Sequence, residues 1–290
     1  MHQSTSTGAI TTAQFVRPIA VYALLAYAIS WAWFAPLVVT GGIIRAGQGW
    51  PTHLPALLGP IVAAFIATAV WWGRRGVRDL VRRMLLVRVP LRWWAFALSP
   101  LMVLGAVLVV DNVTGHAAPA AADFASFSGV SSRLGVVGVV LVILVVNGFG
   151  EETGWRGFAL PHLQERYTPL TSTLILSAMW VVWHAPMFVV VDTFRSFTAP
   201  IVVGWVIGLF CGAVVLSWLY NRSGGSILLV AIWHTTYNLI SGTDAATGLL
   251  AAVSTTLVIV LAVVLVVLEI RSRRAGRATV LGPRAEVRAS

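Results

Sequence analysis

The sequence predicts an all-α fold, a polytopic transmembrane bundle of about eight spans. Two observations carry this. Of 290 residues, 58% are hydrophobic and only 10% are charged, whereas a soluble domain carries about 25% charged residues. A water-soluble globule of this size has too little interior to hide so much apolar side chain. The apolar residues also gather into runs near the ~20 residues a membrane helix needs. These runs cover about 18–40, 54–72, 93–110, 134–150, 170–190, 199–220, 226–241 and 249–269. The composition excludes a disordered chain, a collagen and a disulfide framework. The single cysteine, Cys211, reads as a small core residue. Residues 1–270 are expected to form one transmembrane domain, with its motif-bearing core at 134–241. Residues 271–290 are expected to be a basic, disordered cytoplasmic tail.

Each run has its own justification. The first follows Arg17 and is too long for a cleaved leader, so it reads as a retained anchor. The second ends at Trp71 and Trp72, and the third opens with Trp93 and Trp94. Between these pairs lie Arg74, Arg75, Arg78, Arg82, Arg83, Arg88 and Arg92. Tryptophans flanking a basic loop mark the membrane interface. The fourth and seventh runs are short and carry polar residues, as helices lining a cavity do. In the sixth, Gly204, Gly208 and Gly212 recur every four residues, which lets another helix approach closely. Packing within the bundle is the expectation there, with homodimerisation second. The eighth run leads into the basic tail, where anionic lipid is a fitting partner.

Orientation follows from arginine. Seventeen of the twenty fall on one side of this topology, and only Arg45, Arg133 and Arg195 on the other. The positive-inside rule then puts both termini in the cytoplasm of a multi-pass integral cell-membrane protein. The net charge of +10 lies in the gaps between spans. That pattern argues for membrane lipid as the surroundings and against a nucleic-acid partner.

Three polar clusters stand out, because a charge in the bilayer core costs at least ~2.5–3.5 kcal/mol. They are Glu151, Glu152 and Arg156; His184; and His234 with Asn238. Glu152 and Arg156 stand four apart, so they share a helix face and can pair. Glu151 points about 100° away and has no local partner. Glu152 is therefore the candidate for a structural ion pair and Glu151 the candidate for chemistry. His234 and Asn238 also share a face. Taken singly, each cluster has a bland explanation: an interhelical hydrogen bond, a helix-end ion pair, packing glue. Together, three helices offering polar faces to one centre make a site. His2, His53, His116 and His162 fall in expected termini or loops and read as solvated.

The pattern Glu151-Glu152-x-x-x-Arg156, then Trp180-x-x-x-His184, then His234-x-x-x-Asn238 resembles the CAAX-protease and bacteriocin-processing family of intramembrane endopeptidases. That family includes the type II CAAX prenyl endopeptidases. The resemblance covers about 134–241, and Trp180 stands where the family often has Phe. It implies that Glu151 is a general base activating water and that His184 helps hold that water. It implies that His234 and Asn238 stabilise the oxyanion or help hold a metal, with Glu152 and Arg156 bracing the site. Zinc on Glu151, His184 and His234 and a metal-free Glu/His mechanism both stay open. Asn238 is a poor zinc ligand and no His-Glu-x-x-His helix is present. The expected activity is hydrolysis of a peptide bond in a membrane-associated peptide or protein, CAAX-type or bacteriocin-related, near the cytoplasmic face. The alternatives are a proton-coupled transporter with a Glu/His relay and a non-catalytic membrane scaffold. Depth is a difficulty, because straight helices over the runs above would not bring Glu151 and His184 level. Tilt, a late start to the fifth run, or a break at Gly148, Gly150 and Gly154 would be needed.

Overall fold

The structure, a computed structural model, describes residues 12–283. His2, Arg284 and Arg288 lie outside the described residues. The helices are α1 (Thr12–Thr40), α2 (Leu54–Met84), α3 (Leu91–Ala97), α4 (Ser99–Thr114), α5 (Ser132–Gln164), α6 (Pro169–Trp183), α7 (Ala199–Arg222), α8 (Ile227–Ser241) and α9 (Gly248–Arg274). No strand occurs among the described residues beyond isolated bridges. Six helices are long and apolar enough to cross a membrane, or seven if the α3–α4 pair, bent by 55°, counts as one span. The seventh expected span, 226–241, is α8, which has only 15 residues. Val39, Leu91 and Val113 are 86%, 81% and 77% exposed, as lipid-facing side chains of a multi-pass membrane protein are.

The largest departure from expectation is α5. It does not end at residue 150 but runs on to Gln164. The sequence counts Arg156 among the cytoplasmic arginines just beyond the fourth run, while pairing it with Glu152. Here Arg156 bonds Glu152 at 3.0 Å with both side chains fully buried, so the pair stays inside. Glu151 consequently sits near the middle of a 33-residue span, which removes the depth difficulty. Gly150 and Gly154 keep helical geometry, so there is no break. Instead, π-helical turns at Leu144–Phe149 and Trp155–Ala159 flank the motif.

α1 lies along α2, α2 packs on the middle of α5, and the first π turn of α5 packs on α8. Gly154 permits a close approach of α5 to α1 and α2. A Cβ there would stand 2.5 Å from the Tyr22 hydroxyl and 2.7 Å from the Pro60 carbonyl oxygen. We expect Gly154→Ala to destabilise the bundle by about 1–3 kcal/mol, the usual cost of overpacking; a thermal melt in detergent would read this. An unchanged melting temperature would refute the close packing of α1, α2 and α5.

Local sequence sets the other boundaries. Gly73 adopts φ 57° and ψ −154°, so α2 bends where its apolar part ends and an Arg-rich stretch follows. α6 starts at Pro169 behind Thr168, whose hydroxyl accepts from Thr171 N. It stops at His184, two residues before Pro186. α8 is capped by Ser226, which accepts from Leu229 N and donates to the Leu86 carbonyl.

The bundle has two distinct ends. At one, bridges join Ile44 to Val191, Ala46 to Ser128, Gln48 to Ser131 and Phe127 to Thr243. At the other, Arg83 donates to the Gly157 carbonyl and the Tyr220 hydroxyl. Residues 271–283 belong to this second end and are not a free tail. α9 continues to Arg274, and the chain then folds back so that Leu281 is buried. The buried Glu269 carboxylate accepts from the amides of Val280 and Leu281, and Asn221 donates to the Leu281 carbonyl. The glycine stripe is also reassigned. A Cβ at Gly204, Gly208 or Gly212 would meet nothing within 4 Å, so among the described residues no helix packs closely on them.

Candidate active site

The three polar clusters meet around Trp180. Glu151 and Glu152 come from the straight segment between the π turns of α5, His184 from the end of α6, and His234 from α8. The Trp180 ring centroid is 5.7 Å from those of both His184 and His234. Its indole N–H donates to Glu151 Oε2 at 2.8 Å. The Arg156 guanidinium lies 4.5 Å from the centre of the same ring. One indole therefore touches a member of every cluster.

Glu151 is 2% exposed. Contrary to the helical-wheel reading, it has a partner on its own helix: Asn147, four residues earlier, donates to Oε1 at 3.1 Å. Asn147 belongs to the site and the sequence reading leaves it out. The four-residue spacing was there to find it, but an Asn in an apolar run also reads as ordinary packing. Asn147 Oδ1 is buried without a partner.

Glu152 has two jobs. Its Oε1 accepts from Arg156 and, at 2.7 Å, from His234 Nδ1. The ion pair expected from spacing is therefore also the support of a second cluster. Asn238 lies one turn beyond His234, half-buried, with no side-chain hydrogen bond among the described residues.

The two imidazoles are held differently, and their Nδ1 partners dictate what each can do. His184 Nδ1 lies 2.7 Å from the Trp180 carbonyl oxygen. A carbonyl only accepts, so Nδ1 carries the hydrogen, and neutral His184 presents a lone pair on Nε2. His234 faces a carboxylate. For it to donate through Nε2 as well, the ring must carry both protons, with Glu152 as counter-ion.

Two histidines expected in solvent are not there. His53 is 5% exposed and its Nδ1 has no partner. Burial pushes its imidazole down to about 4. The bridged loops at that end fold it inward, where it is an electrostatic neighbour of His184. His162 packs its ring on Phe158 and Trp72 and bonds the Phe158 carbonyl. His116 stays exposed.

A zinc site needs three protein donors converging on one point, plus water. Among the described residues, no three of His, Cys, Asp and Glu converge in that way. Both Glu151 oxygens face N–H donors, and the bonded oxygen of Glu152 is shared by Arg156 and His234. The Nδ1 atoms of both histidines are also engaged, His184 with the Trp180 carbonyl and His234 with Glu152. The residues present do not fit a zinc cradle on Glu151, His184 and His234.

Residues 133–240 match the family model described as type II CAAX prenyl endopeptidase Rce1-like. These residues contain Asn147, Glu151, Glu152, Arg156, Trp180, His184, His234 and Asn238; His53 lies outside them. The chain carries a segment similar to that family. It is similar to a protein named CAAX prenyl protease 2 from Methanococcus maripaludis, with 23% identity over 214 residues, covering 71% of this chain and 77% of that protein. That likeness supports a membrane-embedded protease, with lipid around it and a membrane-associated substrate. The matched segment begins with α5 and ends within α8, so α1 to α4 and α9 are the surroundings in which the family's core is set.

Proposed function

We propose that this type II CAAX prenyl endopeptidase-like protein hydrolyses a peptide bond near the C-terminus of a prenylated, membrane-anchored substrate, without a metal. The supporting observation is the convergence of Glu151, His184 and His234 on one buried indole in the middle of the bundle. Water would sit between Glu151 and His184 Nε2. As its oxygen attacks the scissile carbonyl carbon, Glu151 takes its proton. The carbonyl π electrons move onto oxygen, and the oxyanion meets His234 Nε2–H and the Asn238 amide. Collapse then breaks the C–N bond, and Glu151 returns the proton to the leaving amine. Glu152 keeps His234 doubly protonated and oriented, and Arg156 balances the remaining charge. The Arg-rich end, with both termini, would face the cytoplasm.

The test is cleavage of a quenched farnesylated CAAX-type peptide by the detergent-solubilised protein, with metal content measured on the same sample. Metal-free protein should cleave, and a chelator should leave the rate unchanged. Activity lost to chelation and restored by zinc would overturn the metal-free mechanism. Asn238→Ala should lower kcat by about 10²–10³-fold, the usual effect of losing one oxyanion donor, with KM nearly unchanged. Full activity in Asn238→Ala would remove Asn238 from the oxyanion site.

A further inference from the structure

Trp180 does more than fill the centre of the site. It is bonded to the site twice, through its indole N–H and its backbone carbonyl. Its indole N–H donates to Glu151 Oε2 at 2.8 Å, and its backbone carbonyl accepts from His184 Nδ1 at 2.7 Å. These are the two groups between which the attacking water is placed, and one residue sets the orientation of both. We propose that Trp180 is a positioning residue for hydrolysis, acting through its indole N–H on Glu151. The proposal rests on Glu151 being the base.

The indole is itself firmly placed. Trp180 is 6% exposed. Arg156 covers one face of its ring, and Arg156 is fixed in turn by Glu152. The two imidazoles stand 5.7 Å from its centroid. An indole nitrogen offers one donor and no acceptor, so its bond to the carboxylate has one sense only. Glu151 is a flexible side chain on a helix. With Asn147 on Oε1 and Trp180 on Oε2, both oxygens are held and the carboxylate plane is fixed. Asn147 reaches Glu151 from the same helix, whereas Trp180 reaches it from α6. The indole bond therefore ties the base to the helix that carries His184. Reacting groups misplaced by about 1 Å lose on the order of 10²-fold in rate, so this tie should appear in kcat.

Two variants at this position separate the N–H from the ring. Trp180→Phe keeps an aromatic ring and removes the donor. Replacing Trp180 with 3-benzothienylalanine keeps the indole shape and exchanges N–H for sulfur. Both should lower kcat for the farnesylated peptide by about 10–100-fold, with KM within about two-fold of the parent. Glu151→Gln added to either should remove the residual activity. Full kcat in the benzothienyl protein would overturn the proposal, whether or not Trp180→Phe folds. A change confined to KM would do the same, because the residue would then act on substrate binding. Cleavage that survives Glu151→Gln alone would instead refute Glu151 as the base and leave the N–H comparison to be read on its own.

Discussion

Glu151→Gln should lower peptide cleavage by about 10²–10⁴-fold, the range set by general base catalysis. Gln has the shape of Glu and cannot take a proton from water. Its amide oxygen can accept from only one of the Asn147 and Trp180 donors, and its NH₂ must face the other. That mismatch costs about 1–3 kcal/mol, so the variant should fold with a somewhat lower melting temperature. The measurement is kcat beside a thermal melt on one preparation. A folded Glu151→Gln protein that retains a tenth or more of parent activity would rule out Glu151 as the base. Loss of a coupled ion or solute flux with cleavage intact would favour a carrier.

Glu152→Ala should be the most destabilising single substitution in the site. Arg156 and Glu152 are fully buried, and Glu152 also bonds His234. Removing one partner of a buried ion pair leaves an uncompensated charge and costs about 3–5 kcal/mol. Replacing both partners with neutral residues of similar size can be nearly neutral for stability. The double variant Glu152→Gln with Arg156→Met should therefore regain most of the stability. It should regain no activity, because His234 would lack its counter-ion. Unfolding midpoints and kcat on both variants separate the two roles. Activity in the double variant would show that Glu152 serves the fold alone.

The sequence carries the all-helical membrane architecture because apolar composition and run length report on the solvent a segment meets. It also carries the Glu152–Arg156 pair and the three clusters, which depend only on helical spacing and on the cost of charge in lipid. What it hides depends on contacts between distant segments. His53 looks solvated until bridged loops close over it. The indole bond from Trp180 to Glu151 joins residues 29 positions apart. Residues 271–283 look like a tail because nothing in their composition announces that Glu269 will gather their backbone amides. The boundary of α5 is hidden for the reverse reason. Arg156 is a topological signal when alone, and Glu152 cancels it.

The two π turns of α5 have a consequence for how such a motif is aimed. Each π turn accommodates more residues than an α turn, and one residue advances an α-helix by about 100°. The segment Gly150–Gly154 is thus phased independently of both ends of its helix. The ends satisfy lipid and neighbouring helices, while the middle is dialled towards the bundle axis. A chain one residue shorter within 144–149 would keep the composition of its span and every motif residue. It would still swing Glu151 about a quarter-turn away from Trp180, and Glu152 as far from His234. Insertions and deletions near the motif therefore act as angular settings, and a count of matching residues does not register them.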